Sequence, residues 1–134
     1  MKNLLLPLLT AALLTACGKK APKHSALPRG SAVLALGDSL TYGYGANPTE
    51  SYPARLAELT GWTVTNGGVS GDTSAQALAR LPELLREHTP HLVIISIGGN
   101  DFLRRQPENE TRTNIRAIIQ ACKAAGAETL LVGV

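Results

Sequence analysis

The sequence predicts an α/β fold, a doubly wound, flavodoxin-like parallel sheet, and three observations predict it. Short runs of branched apolar residues alternate with segments of helical period. Each polar, glycine-rich loop follows the end of an apolar run. The length, 134 residues, suits one domain and not two. Alternating strand and helix implies right-handed crossovers and a sheet covered on both faces.

The elements follow in order. Ala32-Val-Leu-Ala-Leu36 is a short apolar run stopped by Gly37 and reads as a buried strand. Ser51 to Leu59 reads as a helix ended by Gly61, with Tyr52, Leu56 and Leu59 on one side. Trp62 to Val69 reads as a second strand, interrupted by Asn66-Gly67-Gly68. Ser74 to His88 is helical, with Asp72 or Thr73 as its cap and Leu78, Leu81 and Leu85 as its apolar stripe. Pro82 within it predicts a bend or a late start. Leu92-Val-Ile-Ile-Ser-Ile97 has the near-continuous branched character of a central parallel strand. Thr111 to Ala125 is a helix closed by Gly126, and Thr129-Leu-Leu-Val132 is a fourth strand.

Composition removes several function classes. The chain is 44% hydrophobic and only 17% charged, which suits a packed core and argues against disorder. The formal net charge of +3 comes from Lys2, Lys19, Lys20, Lys23 and Arg29. Without those five, eight basic residues face ten acidic ones, so the segment from Ser31 onward is about −2 and offers no basic face to nucleic acid. No period repeats, and nothing after Cys17 is long and apolar enough to cross a membrane.

The opening has a different logic. Met1-Lys2-Asn3 precedes a short apolar stretch from Leu4 to Leu14, the pattern of a secretory signal over residues 1–16. Leu14-Thr15-Ala16-Cys17 resembles the lipobox of bacterial lipoproteins. That resemblance implies a diacylglyceryl group on Cys17, and two or more acyl chains anchor a protein stably. Gly18, where an aspartate would retain the protein at the inner membrane, implies outer-membrane sorting. The expected location is therefore the bacterial cell envelope, lipid-anchored at the outer membrane. Residues 17–30 read as the lipidated cysteine and its tether, and 31–134 as the domain. Cys122 shares a helix face with Ile115, Ile118 and Ile119 and reads as a small core residue, not a nucleophile.

Chemistry concentrates in three loops. Gly37-Asp38-Ser39-Leu40 places a serine just past a strand, at the start of a helix, where its hydroxyl meets the sheet edge. Alone, this reads at least as well as a helix cap. In Asn66-Gly67-Gly68-Val69-Ser70-Gly71-Asp72-Thr73, glycine allows close backbone approach, and the Gly71 N–H can serve an oxyanion. In Gly98-Gly99-Asn100-Asp101 the Asn100 amide can donate to that same oxyanion. Alone, each of these reads as a turn.

The three blocks together, each after its own strand, resemble the SGNH (GDSL) hydrolase family from about Ala32 to Val134. Val69-Ser-Gly-Asp-Thr-Ser and Ala79-Arg-Leu-Pro-Glu-Leu-Leu are most similar to its bacterial arylesterase and thioesterase/lysophospholipase branch. The resemblance implies Ser39 as the catalytic nucleophile. It implies an oxyanion hole of the Ser39 N–H, the Gly71 N–H and the Asn100 side chain. Ester or thioester substrates, small or lipidic, are implied, with no metal and no cofactor. Asp38, Asp72 and Asp101 match motif positions but read as caps and braces.

The family's base comes from an Asp-x-x-His block near the C-terminus, and this sequence holds no such block. His24 lies in the tether, while His88 and His91 flank the start of the third strand, opposite Ser39. The expectation is a chain lacking the last strand and helix and inactive by itself. Two other classes stay open: a non-catalytic envelope lipoprotein that keeps the cleft as a binding surface, and a carbohydrate O-deacetylase.

Overall fold

The computed structural model describes residues 26–133. The signal segment, Cys17, His24 and most of the tether lie outside them. Four parallel strands form one sheet: β1 (Ala32–Gly37), β2 (Thr63–Gly68), β3 (Leu92–Ser96) and β4 (Glu128–Leu131). Their spatial order is β2-β1-β3-β4, the flavodoxin-like arrangement. The helices are α1 (Ser39–Tyr42), α2 (Tyr52–Thr60), α3 (Ser74–His88), α4 (Gly99–Leu103) and α5 (Glu108–Ala124), with a 3₁₀ turn at Pro48–Glu50. None of the described helices is long and apolar enough to cross a membrane.

Register fixes which side chains share a face. Leu34 pairs with Val93 and Leu36 with Ile95. These four, with Ile97, meet Ala77, Leu81 and Leu85 of α3 and Ile118 and Cys122 of α5 in one core. Full burial of each large apolar side chain there contributes about 1.5–3 kcal/mol. Helices α3 and α5 pack on each other over that face, and α2 packs against β2. Burial pushes the Cys122 thiol up to about 11, so it stays protonated and inert at neutral pH, as a core residue should.

Several expectations are corrected. On the side of helix α2 that carries Tyr52 and Leu59, Leu59 is 77% exposed and Tyr52 only partly covered, while Pro53 is buried and Ala54, Leu56 and Ala57 are half-buried. The inward stripe is therefore set one position away, starting from the proline. In α3 the buried stripe is Ala77, Leu81 and Leu85, with Leu78 only partly covered. That helix starts at Ser74 despite Pro82, with Thr73 as its cap accepting from Gln76 N. Helix α5 begins at Glu108, earlier than the expected Thr111.

The Asn66-Gly67-Gly68 stretch does not interrupt β2 but completes it. A Cβ on Gly68 would lie 2.1 Å from the Tyr42 backbone nitrogen, so only glycine lets α1 sit on the end of this strand. The end of the tether is already docked: Trp62 Nε1 donates to Leu27 O at 3.2 Å, and Gly30 N donates to Gly61 O at 2.7 Å.

Candidate active site

In this strand order, β1 and β3 are neighbours whose connections leave in opposite directions along the sheet. Ligand sites of open α/β sheets form at such a switch point, beyond the carboxyl ends of the strands. The loops that leave β1 and β3 there are Asp38-Ser39 and Gly98-Gly99-Asn100, and the loop after β2 lies alongside.

Ser39 opens α1, half-buried. Asp38 is the cap: its carboxylate accepts from Leu40 N at 3.0 Å, and it is 5% exposed. Gly37 is obligatory just before it, because a Cβ there would meet Ser96 O at 2.6 Å and Thr41 Oγ1 at 2.0 Å. Tyr52 donates to or accepts from Thr41 Oγ1 at 3.3 Å beneath this turn. Burial raises the Tyr52 phenol above its ordinary value, and the nearby Asp38 charge adds to the rise.

The second loop turns through Val69-Ser70-Gly71-Asp72, closed by Asp72 N donating to Val69 O at 3.1 Å. Gly71 takes φ +84°, a conformation that costs a side-chain-bearing residue strain. Arg104 donates to Gly71 O at 2.7 Å from the loop after α4. Among the described residues, neither the Ser39 N–H nor the Gly71 N–H donates to a protein acceptor.

The third loop is tied to the second by its amide. Asn100 Nδ2 donates to Asp72 O at 2.9 Å, and an amide nitrogen carries two hydrogens, so one remains for a ligand. Asp101 is buried, and its carboxylate accepts from Ser74 N at 2.8 Å, from Ser74 Oγ, and from Thr111 Oγ1 at 3.2 Å. It thereby closes an open donor at the start of α3 and fixes the loop that carries Asn100. The reading of Asp38, Asp72 and Asp101 as caps and braces agrees with these bonds.

One residue of the site had no role in the sequence reading. Arg80, on α3, donates through Nε to Asp72 Oδ2 at 2.7 Å and through its terminal NH2 to Gly37 O at 3.0 Å. It joins the first loop to the second from below. The only signal available was a cation beside Ala77 and Leu81 on an otherwise apolar helix face, and a charge there reads equally as solvated.

Among the described residues, neither histidine comes near Ser39. His91 N donates to Ala32 O at 2.8 Å, at the amino end of β1, and His88 ends α3. The five strand steps from Ala32 to Gly37, about 3.3 Å each, already span roughly 16 Å, and Ser39 lies beyond them, far outside the reach of a general base. Among the described residues no cluster of side chains could hold a metal ion. A surface cavity of about 480 Å³ lies behind α1, lined by Tyr42, Ala46, Pro53, Ala54 and Val64 among others, and not by Ser39, Gly71 or Asn100.

A parallel sheet with three polar loops gathered at its switch point defines a doubly wound α/β domain with its candidate site at the carboxyl edge of the strands. Residues 35–134 match the model of the GDSL-like lipase/acylhydrolase family, and the chain belongs to that family. It is 45% identical over 104 residues to thioesterase 1/protease 1/lysophospholipase L1 of Escherichia coli strain K12, covering 75% of this chain and 49% of the relative. It resembles the crystal structure of TesA at TM-score 0.74 and 38% identity, covering 76% of this chain and 59% of that one. It also resembles the psychrotrophic esterase EstA from Pseudoalteromonas sp., in a structure inhibited by monoethylphosphonate. That match has TM-score 0.71 and 36% identity, covering 76% of this chain and 58% of the other. The chain spans about half the length of the curated relatives it matches.

Proposed function

We propose that this chain carries the nucleophile and oxyanion hole of a serine hydrolase that cleaves carboxylic esters or thioesters, held in the bacterial envelope by a lipid on Cys17. The observation that carries the reading is the convergence of three loops at the β1/β3 switch point, bonded to one another through Arg80 and Asn100. Names of the relatives, an esterase inhibited by a phosphonate and a thioesterase/lysophospholipase, support the substrate class.

The chemistry follows from the groups. Ser39 Oγ attacks the substrate carbonyl carbon, and its proton passes to a base. The carbonyl oxygen becomes an oxyanion held by the N–H groups of Ser39 and Gly71 and by the free hydrogen of Asn100 Nδ2. Collapse expels the alcohol or thiol and leaves an acyl-serine, which water hydrolyses by the reverse route. The base must be a group other than His88 or His91, given their place at the far end of the sheet.

The alternative is a non-catalytic envelope lipoprotein that keeps the cleft as a binding surface. A chimera separates the two. Residues 26–134 are joined to the C-terminal half of the Escherichia coli relative and treated with a fluorophosphonate. Labelling at Ser39, lost in Ser39→Ala, is expected. Labelling at another serine, or none in a folded chimera, refutes the hydrolase reading.

A further inference from the structure

We propose that Arg80 is a positioning residue that sets the nucleophile loop against the oxyanion loop; this rests on the hydrolase reading above. Its guanidinium ties together two loops that also meet through the strand-ladder bond from Val69 N to Gly37 O at 3.1 Å and through Asn66 Nδ2 donating to Tyr42 O at 3.3 Å; Arg80 adds the bond that reaches Asp72. Nε–H holds Asp72 Oδ2 at 2.7 Å, and the terminal NH2 holds Gly37 O at 3.0 Å, two residues before Ser39. Asp72 in turn accepts, through its backbone carbonyl, the Asn100 amide at 2.9 Å. One side chain thus closes a chain of bonds that runs from the Ser39 turn, through Asp72, to Asn100.

The pair is largely sheltered, with side-chain exposures of 24% for Arg80 and 8% for Asp72. In such surroundings a charge-assisted bond is stronger and better directed than one in water. A guanidinium is required because its donors are fixed in one plane and two of them act at once in different directions. An ammonium on a flexible stem cannot hold both acceptors with that geometry. Gly37 cannot be held by a side chain of its own, since a Cβ would strike Ser96 O and Thr41. Its carbonyl accepts twice, from Val69 N at 3.1 Å in the sheet ladder and from Arg80 at 3.0 Å, and only the second bond links the strand end to Asp72. Displacing a catalytic group by about 1 Å costs on the order of 10²-fold in rate, so the bond chain controls kcat more than KM.

The test has two arms. In the ¹⁵N-labelled chain itself, Arg80→Gln and Arg80→Lys are expected to shift the amide signals of Ser39 and Gly71 and the side-chain amide of Asn100. Strand signals of β3 should stay in place, and methylguanidinium added to Arg80→Ala should return the three signals toward their original positions. In the chimera, the same variants should slow phosphonylation of Ser39 about 10²-fold, with melting temperature held by Arg80→Lys. Unchanged Ser39, Gly71 and Asn100 signals overturn the proposal, as does a change spread evenly over the sheet or one that methylguanidinium leaves in place. An unlabelled chimera with the NMR response intact instead counts against the hydrolase reading, so the two failures are told apart.

Discussion

Replacing Asp101 with alanine should destabilise the chain more than any surface change of equal size. The carboxylate is 3% exposed and accepts from Ser74 N, Ser74 Oγ and Thr111 Oγ1. Ser74 is itself fully buried, and its Oγ also accepts from Asn114 Nδ2 at 3.0 Å. A hydrogen bond to a charged group contributes about 1.5–3 kcal/mol, and an acidic group at a helix start contributes a further ~0.3–1 kcal/mol. Two firm bonds to one residue do not add fully, and the Thr111 contact is long. The expected loss is about 3–4 kcal/mol, a large part of the ~5–15 kcal/mol that holds a domain. Asp101→Asn keeps an acceptor for Ser74 N and should lose about half as much. Urea unfolding followed by circular dichroism measures both, with an unchanged slope showing that the unfolded reference is the same. A loss under about 1 kcal/mol for alanine, or an asparagine variant no better than alanine, refutes the brace.

Two further outcomes are expected. Asn100→Ala in the chimera should lower kcat about 10²–10³-fold, the usual cost of one oxyanion donor; an unchanged kcat removes Asn100 from the hole. Cys17→Ala should release the protein from membrane fractions, whereas unmodified Cys17 in the envelope, read by mass spectrometry, would contradict the anchor.

Much of the fold was legible because it is written in local periods. Leu92 to Ser96 needed only its branched run to be read as a central strand, and Ser74 to His88 only its cap and stripe. The three polar loops were legible as turns that each follow a strand; the roles of Ser39, Gly71 and Asn100 came only with the resemblance to the SGNH family, since each loop alone reads as a cap or a turn. The tertiary structure decided what depends on separation in space. Leu59 lies exposed because α2 turns Pro53 to the sheet, and a helical period gives the spacing of a stripe without saying which stripe meets a neighbour. Gly67 and Gly68 suit the end of β2 because other elements crowd their Cβ positions, Ala35 O and Leu34 of β1 at Gly67 and the backbone of Thr41 and Tyr42 at Gly68. Arg80 finds Gly37 O across 43 residues of chain. No local pattern encodes that pairing: a guanidinium on a half-apolar helix face gains its role only when the sheet order brings the end of β1 over it.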